Sequence, residues 1–233
     1  MRKVVRRGAH RTAAPEEPPQ PGPITSLREH PRRRGRYSVE IGGVALGALS
    51  VESISELGLR AGLMVDESLL PRLLSAARAV ACYDKALDAL ARRARSRADL
   101  ERWLRARDFT ADEVTPALDK LAELGLLDDL AFARGYAQSR TVGRGFGRRR
   151  VAAELARKGV SRAVVDAVLA ELSETLEQGE PDAMAAAAEK RAKSLSSLAP
   201  EVAQRRLMGW LVRRGYDMRA ASETARRLFP RQR

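Results

Sequence analysis

The sequence predicts a mostly α-helical chain of three tandem three-helix repeats, preceded by a short β-hairpin segment and a disordered basic tail. Three observations carry this reading. Leu104, Leu155 and Leu211 bring three segments into register, starting at Leu100, Val151 and Leu207, with spacings of 51 and 56 residues. In that register apolar residues recur at helical spacing, as Val114/Val165/Ala221, Leu118/Leu169/Ala225 and Leu121/Leu172/Leu228. The composition, 44% hydrophobic but only 4% aromatic, favours thin modules built on Leu, Ala and Val over one thick core.

In chain order, residues 1–35 hold six prolines and nine Lys/Arg against three acids. Such a segment buries too little apolar surface to offset the entropy of ordering, so disorder is expected. It has no apolar h-region, and no signal peptide is expected. Residues 36–65 switch to a period of two. Tyr37, Val39 and Ile41, then Gly42-Gly43, then Val44 and Leu46 read as a hairpin with a two-residue turn. Ser53–Leu57 is expected to make one helical turn ending at Gly58, and Leu63–Val65 is a candidate third strand.

A connecting helix over 66–83 is expected from the N-cap Asp66 through Leu69, Leu70, Leu73, Leu74, Ala77 and Val80. Whether it runs on into the first repeat is open, and Pro71 fits less well if the helix starts at Asp66. The repeats are placed at 84–127, 128–178 and 179–233. Each opens with its own helix, near Asp84–Arg95, Asp129–Thr141 and Asp182–Leu198, and continues as helix, tight turn, helix. Phe109, Val160 and Tyr216 supply an apolar staple after each turn.

The turns are specified by chemistry. Gly159 and Gly215 stand where a helix ends in a left-handed residue, and Asp108 takes the same place in the first repeat. Thr110, Ser161 and Asp217 follow as N-caps, Thr110 with Glu113 forming a capping box. Pro181 and Pro200 are read as helix starts, where a missing N–H costs nothing. Pro116, six residues past the Thr110 cap, requires either a kinked helix or one that starts late at Thr115.

The chemistry begins with what is missing. Both histidines, His10 and His30, fall in the expected tail, so no imidazole is expected in the folded part. That excludes Ser-His-Asp and Cys-His nucleophile systems and a Cys/His zinc site. Cys82, the single cysteine, lies on an apolar helical stripe and reads as a buried small hydrophobe in a reducing compartment. Gly143-x-Gly145-x-Gly147 has no preceding strand and no Gly-Lys-Ser/Thr ending, so a phosphate loop is not supported. Asp128-Asp129 reads as a helix cap rather than a metal pair. Trp103 and Trp210, at nearly matching repeat positions, read as packing groups rather than base-stacking ones. No catalytic residue, metal or cofactor is expected.

The net charge of +13 and pI near 10.8 point to a polyanionic partner or an acidic protein groove. Only six of the 43 basic residues are Lys, so a coding bias toward Arg accounts for part of the composition. The tail carries +6 of the charge and can tether to nucleic acid without reading its sequence. The remaining cations gather on and before the second helix of each repeat: Arg102, Arg105 and Arg107; Arg144, Arg148, Arg149, Arg150, Arg157 and Lys158; Arg205, Arg206, Arg213 and Arg214. The first third helix begins instead with Ala111-Asp112-Glu113, and an acidic start would meet phosphates badly in a major groove. Sequence-specific helix-turn-helix readout is therefore disfavoured.

Further residues carry a resemblance. L-D-D-x-x-F-A at Leu127–Ala133, Ser139-Arg140, the glycines at Gly145 and Gly147, E-L-x-x-K-G-V at Glu154–Val160, and R-S-R-A-D-L-E-R-W-L ahead of Phe109 closely resemble the RecX family of recombination regulators. The resemblance covers about residues 84–230 in matching order and spacing. It implies a non-enzyme whose three-helix repeats stack into an elongated, curved array. It implies binding to the RecA filament on single-stranded DNA, with suppression of strand exchange, ATP hydrolysis and coprotease activity, by a cytoplasmic monomer with no membrane association. A solenoid of this kind offers a long arginine-rich surface. The partner or DNA contacts are then expected at Arg144, Arg148, Arg149, Arg150, Arg157, Lys158, Arg213 and Arg214, with Arg105 and Arg107, as charge-assisted hydrogen bonds to carboxylates or phosphates. Two alternatives stay open: a helical protein that binds DNA directly and works without RecA, and an adaptor for acidic proteins.

Overall fold

The structure, a computed structural model, describes residues 18–141 and 145–230, and for residues 173–182 the backbone alone. The chain divides into two compact units, residues 1–85 with 110–117, and residues 86–109 with 118–233.

The first unit holds a four-stranded antiparallel sheet. Its strands are β1 (Gly22–Glu29), β2 (Arg36–Ile41), β3 (Val44–Ser50) and β4 (Met64–Val65), in the order β3-β2-β1-β4. The hairpin forms as the alternation requires: Ile41 pairs with Val44 across Gly42 and Gly43, whose φ values of 58° and 85° are those of a twist-matched two-residue turn. The short helix α1 (Val51–Glu56) is capped by Ser50 and ends before Gly58 at φ 60°.

The expectation of disorder across 1–35 is corrected within the described residues. β1 is an inner strand, pairing Ile24 with Ile41 and Leu27 with Val39, and Ile24 is buried. Two apolar residues among prolines and arginines are weak local evidence for a strand; pairing with β2 on one side and β4 on the other supplies what propensity lacks. His30 is corrected with it: it closes the β1–β2 connection, its N–H donating to the Arg36 carbonyl and its Nδ1 accepting from the Arg32 N–H. Residues 1–17, including His10, lie outside the described residues.

Ile24, Val39, Ile41, Leu49 and Val65 pack against Leu73 and Ala77 of α2 (Leu69–Arg92). The Asp66 carboxylate accepts from the Ser68 and Leu69 N–H groups, so α2 starts three residues later than expected and Pro71 falls in its first turn, where no intrahelical donor is needed. The helix is continuous, so the expected boundary at 83/84 falls inside it. Cys82 is buried, and desolvation first, with the Glu113 carboxylate adding to it, pushes its thiol up to about 11.

The second unit contains α3 (Arg97–Arg105), the end of α4 (Ala111–Glu123), α5 (Asp129–Thr141), α6 (Arg148–Arg157), α7 (Arg162–Lys193), α8 (Pro200–Arg213) and α9 (Met218–Leu228). The registered leucines Leu104, Leu155 and Leu211 are each completely buried. Ala133 and Ala137 of α5, Val151 and Leu155 of α6 and Val165, Val168 and Leu169 of α7 form one cluster. Met184, Ala188, Leu195, Ala203, Leu207, Leu211, Tyr216, Ala221 and Ala225 form another, from the far end of α7 through α9.

One open alternative is decided, at Pro116, and one helix expectation changes, at Pro181. α4 begins at Ala111 and runs through Pro116, which excludes a start at Thr115. α7 is a single 32-residue helix through Gly179 and Pro181, so Pro181 starts no helix and the expected boundary at 178/179 falls inside α7. A proline inside a helix costs roughly 3 kcal/mol, and here each end of α7 is anchored in a different cluster. Pro200 does occupy the first turn of α8.

Candidate functional site

Helix ends build this region. α3, α6 and α8 stop at Asp108, Gly159 and Gly215, with φ values of 63°, 79° and 91°. The next helices start on side-chain caps: Ser161 accepts from the Val164 N–H and Asp217 from the Arg219 and Ala220 N–H groups. The Glu113 carboxylate accepts from the Thr110 N–H and from Arg78, and that hydrogen bond from Arg78 is the largest cause holding it below its usual range. Asp128 caps α5 through the Leu130 and Ala131 N–H groups, while Asp129 reaches across to the Arg97 N–H at 2.7 Å.

Two of these helix ends receive the start of another helix. Ser96, the N-cap of α3, donates its hydroxyl to the Lys158 carbonyl at 2.5 Å, and the Arg102 guanidinium donates to the Arg157 carbonyl at 3.3 Å. Gly147, the N-cap of α6, donates its N–H to the Arg214 carbonyl at 2.9 Å, and Arg150 donates to the Arg213 carbonyl at 3.3 Å. The N-cap contact uses the same positions in both joints, since Gly147 follows Ser96 by 51 residues and Arg214 follows Lys158 by 56, whereas the two guanidinium donors stand at different positions of the register. Both approaches are tight: a Cβ on Gly159 would lie 2.3 Å from the Ala98 Cβ, and one on Gly147 2.4 Å from the Gly215 oxygen.

The expected contact residues divide by environment. Arg107, Lys158 and Arg214 share one register column, and each lies on aromatic rings: Arg107 3.6 Å over Trp103, Lys158 5.3 Å from Tyr136, and Arg214 4.3 Å over Trp210. The two tryptophans thus pack, under guanidinium groups of their own helix ends. Arg148 donates to the Leu169 carbonyl at 3.2 Å, and Arg150 pairs with Glu154 at 3.1 Å while covering Phe146 at 3.8 Å. Arg149 and Arg157 project into solvent, with side chains 72% and 75% exposed, and Arg105 and Arg213 are exposed too. Arg144 lies outside the described residues.

Glu154, which the sequence marked only as the first residue of the E-L-x-x-K-G-V stretch, is a supporting residue with no expected role in the site. It stands where the neighbouring units carry tryptophan, accepts from the Tyr136 hydroxyl at 2.8 Å and lies within 3.4 Å of Arg140 and 3.1 Å of Arg150. Burial alone would raise its pKa, but the Tyr136 hydrogen bond and the two guanidinium groups outweigh this and hold it below the usual carboxylate range. Its departure from the Trp103/Trp210 column is the one signal the register offered.

Among the described residues no group of three or more His, Cys, Asp or Glu is arranged to hold a metal ion, and no helix is long and apolar enough to cross a membrane. What the region offers is a set of outward arginines at helix ends, Arg105, Arg149, Arg157 and Arg213.

The sequence pattern described as RecX, first three-helix domain, matches residues 82–121, and that of RecX, second three-helix domain, matches residues 128–169. The chain is 39% identical over 136 residues to the regulatory protein RecX of Mycobacterium avium (strain 104), an alignment covering 58% of this chain and 76% of that one. It is 38% identical over 128 residues to the regulatory protein RecX of Thermobifida fusca (strain YX), covering 55% and 68%. Among solved structures, a crystal structure of regulatory protein RecX superposes with a TM-score of 0.69 at 20% identity, over 85% of this chain and 96% of the other. RecX from Lactobacillus salivarius superposes with a TM-score of 0.56 at 22% identity, over 65% and 96%.

Proposed function

From the membership of this chain in the RecX family of regulatory proteins, we propose that it binds the RecA recombinase filament on single-stranded DNA and restrains its recombinase, ATPase and coprotease activities. The protein acts by binding, as a cytoplasmic monomer, and catalyses no reaction of its own. We take residues 179–233 as a third unit of the kind matched at 82–121 and 128–169, so that exposed arginines recur along one continuous scaffold.

One observation supports this reading above the others. Arg157 and Arg213, 56 residues apart, extend from helix ends whose backbone carbonyls accept hydrogen bonds from Arg102 of α3 and Arg150 of α6. A cation on a fixed backbone loses less entropy on binding than one on a loop. A filament repeats its acidic and phosphate groups at regular intervals, and cations on a repeating scaffold engage several at once. Arg149, Arg157, Arg213 and Arg105 are the contact residues, while Arg107, Lys158, Arg214, Arg148 and Arg150 hold the scaffold that presents them.

The test is RecA ATP hydrolysis on single-stranded DNA, titrated with this protein below the recombinase concentration. Inhibition by the intact protein, and its loss in an Arg149→Ala/Arg157→Ala/Arg213→Ala variant that keeps its helical content, is the expected result. No inhibition, together with tight salt-sensitive binding to naked DNA, would instead establish a DNA-binding protein that works without RecA.

A further inference from the structure

An open cleft of about 760 Å³ lies between the last turns of α7, the α8–α9 turn and the Gly145–Phe146 segment. Its size falls within the range of about 300–1,000 Å³ typical of small-ligand sites. Three kinds of group line it. One wall is a layer of planar groups, in which the Arg214 guanidinium lies 4.3 Å over Trp210 and 5.6 Å from Phe146. The floor is methyl groups, from Ala186 and Ala187. Lys190 and Arg191, both exposed, stand on the α7 side, and among the described residues neither is paired with a carboxylate. Among the described residues no acidic side chain lines the cleft.

Basic residues in the last turn of a helix complement its dipole, and that accounts for cations at the end of α7. It does not account for a planar wall and an apolar floor facing them. That combination matches a flat ring with an anion attached: bases stack on aromatic and guanidinium planes in a sequence-tolerant way, while cations track the phosphates. An acidic peptide would use the cations and leave the wall unmatched.

We propose that this cleft takes a nucleotide of single-stranded nucleic acid, its base against the Trp210–Arg214 wall and its phosphates at Lys190 and Arg191. The site is distinct from the exposed arginines Arg149, Arg157 and Arg213, and binding there requires no recombinase.

The probe is a fluorescein-labelled twelve-residue oligothymidylate, with binding to the intact chain read by anisotropy at low salt and no recombinase present. Lys190→Ala/Arg191→Ala is expected to weaken binding by about tenfold or more, while Lys193→Ala, in the same turn but not lining the cleft, changes it by less than about twofold. In a Trp103→Phe background, where Trp210 is the remaining tryptophan, the unlabelled oligonucleotide is expected to quench tryptophan fluorescence saturably. Equal losses in the two cation variants, or wild-type affinity in Lys190→Ala/Arg191→Ala, would overturn the proposal. So would displacement of the oligonucleotide by polyglutamate at equal affinity, which would mark an acidic-segment site. Thymidine monophosphate quenching as tightly as the oligonucleotide would mark a free-nucleotide site and overturn it too. The recombinase assay reads the other proposal separately: restraint of the filament by the double variant leaves that reading intact whatever the cleft binds.

Discussion

Gly147 and Gly215 meet backbone to backbone. The Gly147 N–H donates to the Arg214 carbonyl at 2.9 Å, and a Cβ on Gly215 would come 2.5 Å from the Arg150 nitrogen. Because both partners are main chain, no rotamer change can open the contact. Gly147→Ala should therefore destabilise the protein by about 1–3 kcal/mol, the usual cost of overpacking. Gly215→Ala should cost more, since its φ of 91° adds left-handed strain. Urea unfolding followed by circular dichroism measures both, and a wild-type midpoint for Gly147→Ala would show that the two segments are not in contact.

The equivalent joint at Gly159 can be tested by coupling. A Cβ there would lie 2.3 Å from the Ala98 Cβ, a clash that Ala98→Gly removes. In the Ala98→Gly background, Gly159→Ala should cost only the left-handed conformation, about 1 kcal/mol, against a larger loss in the wild-type background. Equal costs in the two backgrounds would mean that no clash exists.

Arginines that share one short stretch should respond differently to truncation. Arg149→Ala should leave thermal unfolding unchanged, because its contact with Asp217 is exposed at 3.2 Å and screened by water. Arg150→Ala removes the Glu154 pair, the hydrogen bond to the Arg213 carbonyl and the cover over Phe146, and should lower the melting temperature by several degrees. A melting temperature for Arg150→Ala equal to that of Arg149→Ala would contradict the division into presenting and contacting residues.

Glu154 sets a direction for pH dependence. Its carboxyl is held below its usual range in the folded protein, so the unfolded chain binds its proton first as pH falls from neutral. The stability it contributes is complete above the unfolded pKa, near 4.5 for a free glutamate and is lost as pH drops through the folded value. Urea midpoints should fall between pH 6 and acid pH, and less steeply in Glu154→Gln. Parallel profiles would place the acid sensitivity in other carboxylates.

Cys82 is buried, and its thiol is raised to about 11. At pH 8 the folded protein should show almost no reaction with a disulfide-exchange reagent, and in urea the full single thiol should react. Rapid labelling of the native protein would show that this part of α2 opens readily.

The local pattern of the chain determined much of this. Registered leucines, left-handed helix ends, N-caps and the Gly42-Gly43 hairpin depend on residues within a turn or two of one another, and their steric and hydrogen-bond requirements are written in the sequence. The excess of cations on second helices was legible for the same reason. The tertiary structure decided which of those cations face outward, because Arg150 and Arg149 are adjacent in sequence and only the positions of Glu154, Phe146 and the Arg213 carbonyl separate their roles. It also decided that Gly22–Glu29 is an inner strand and that α7 continues through Pro181, since the partners that stabilise both lie far away along the chain. Local propensity is overruled when distant contacts supply more free energy than the local rule withholds.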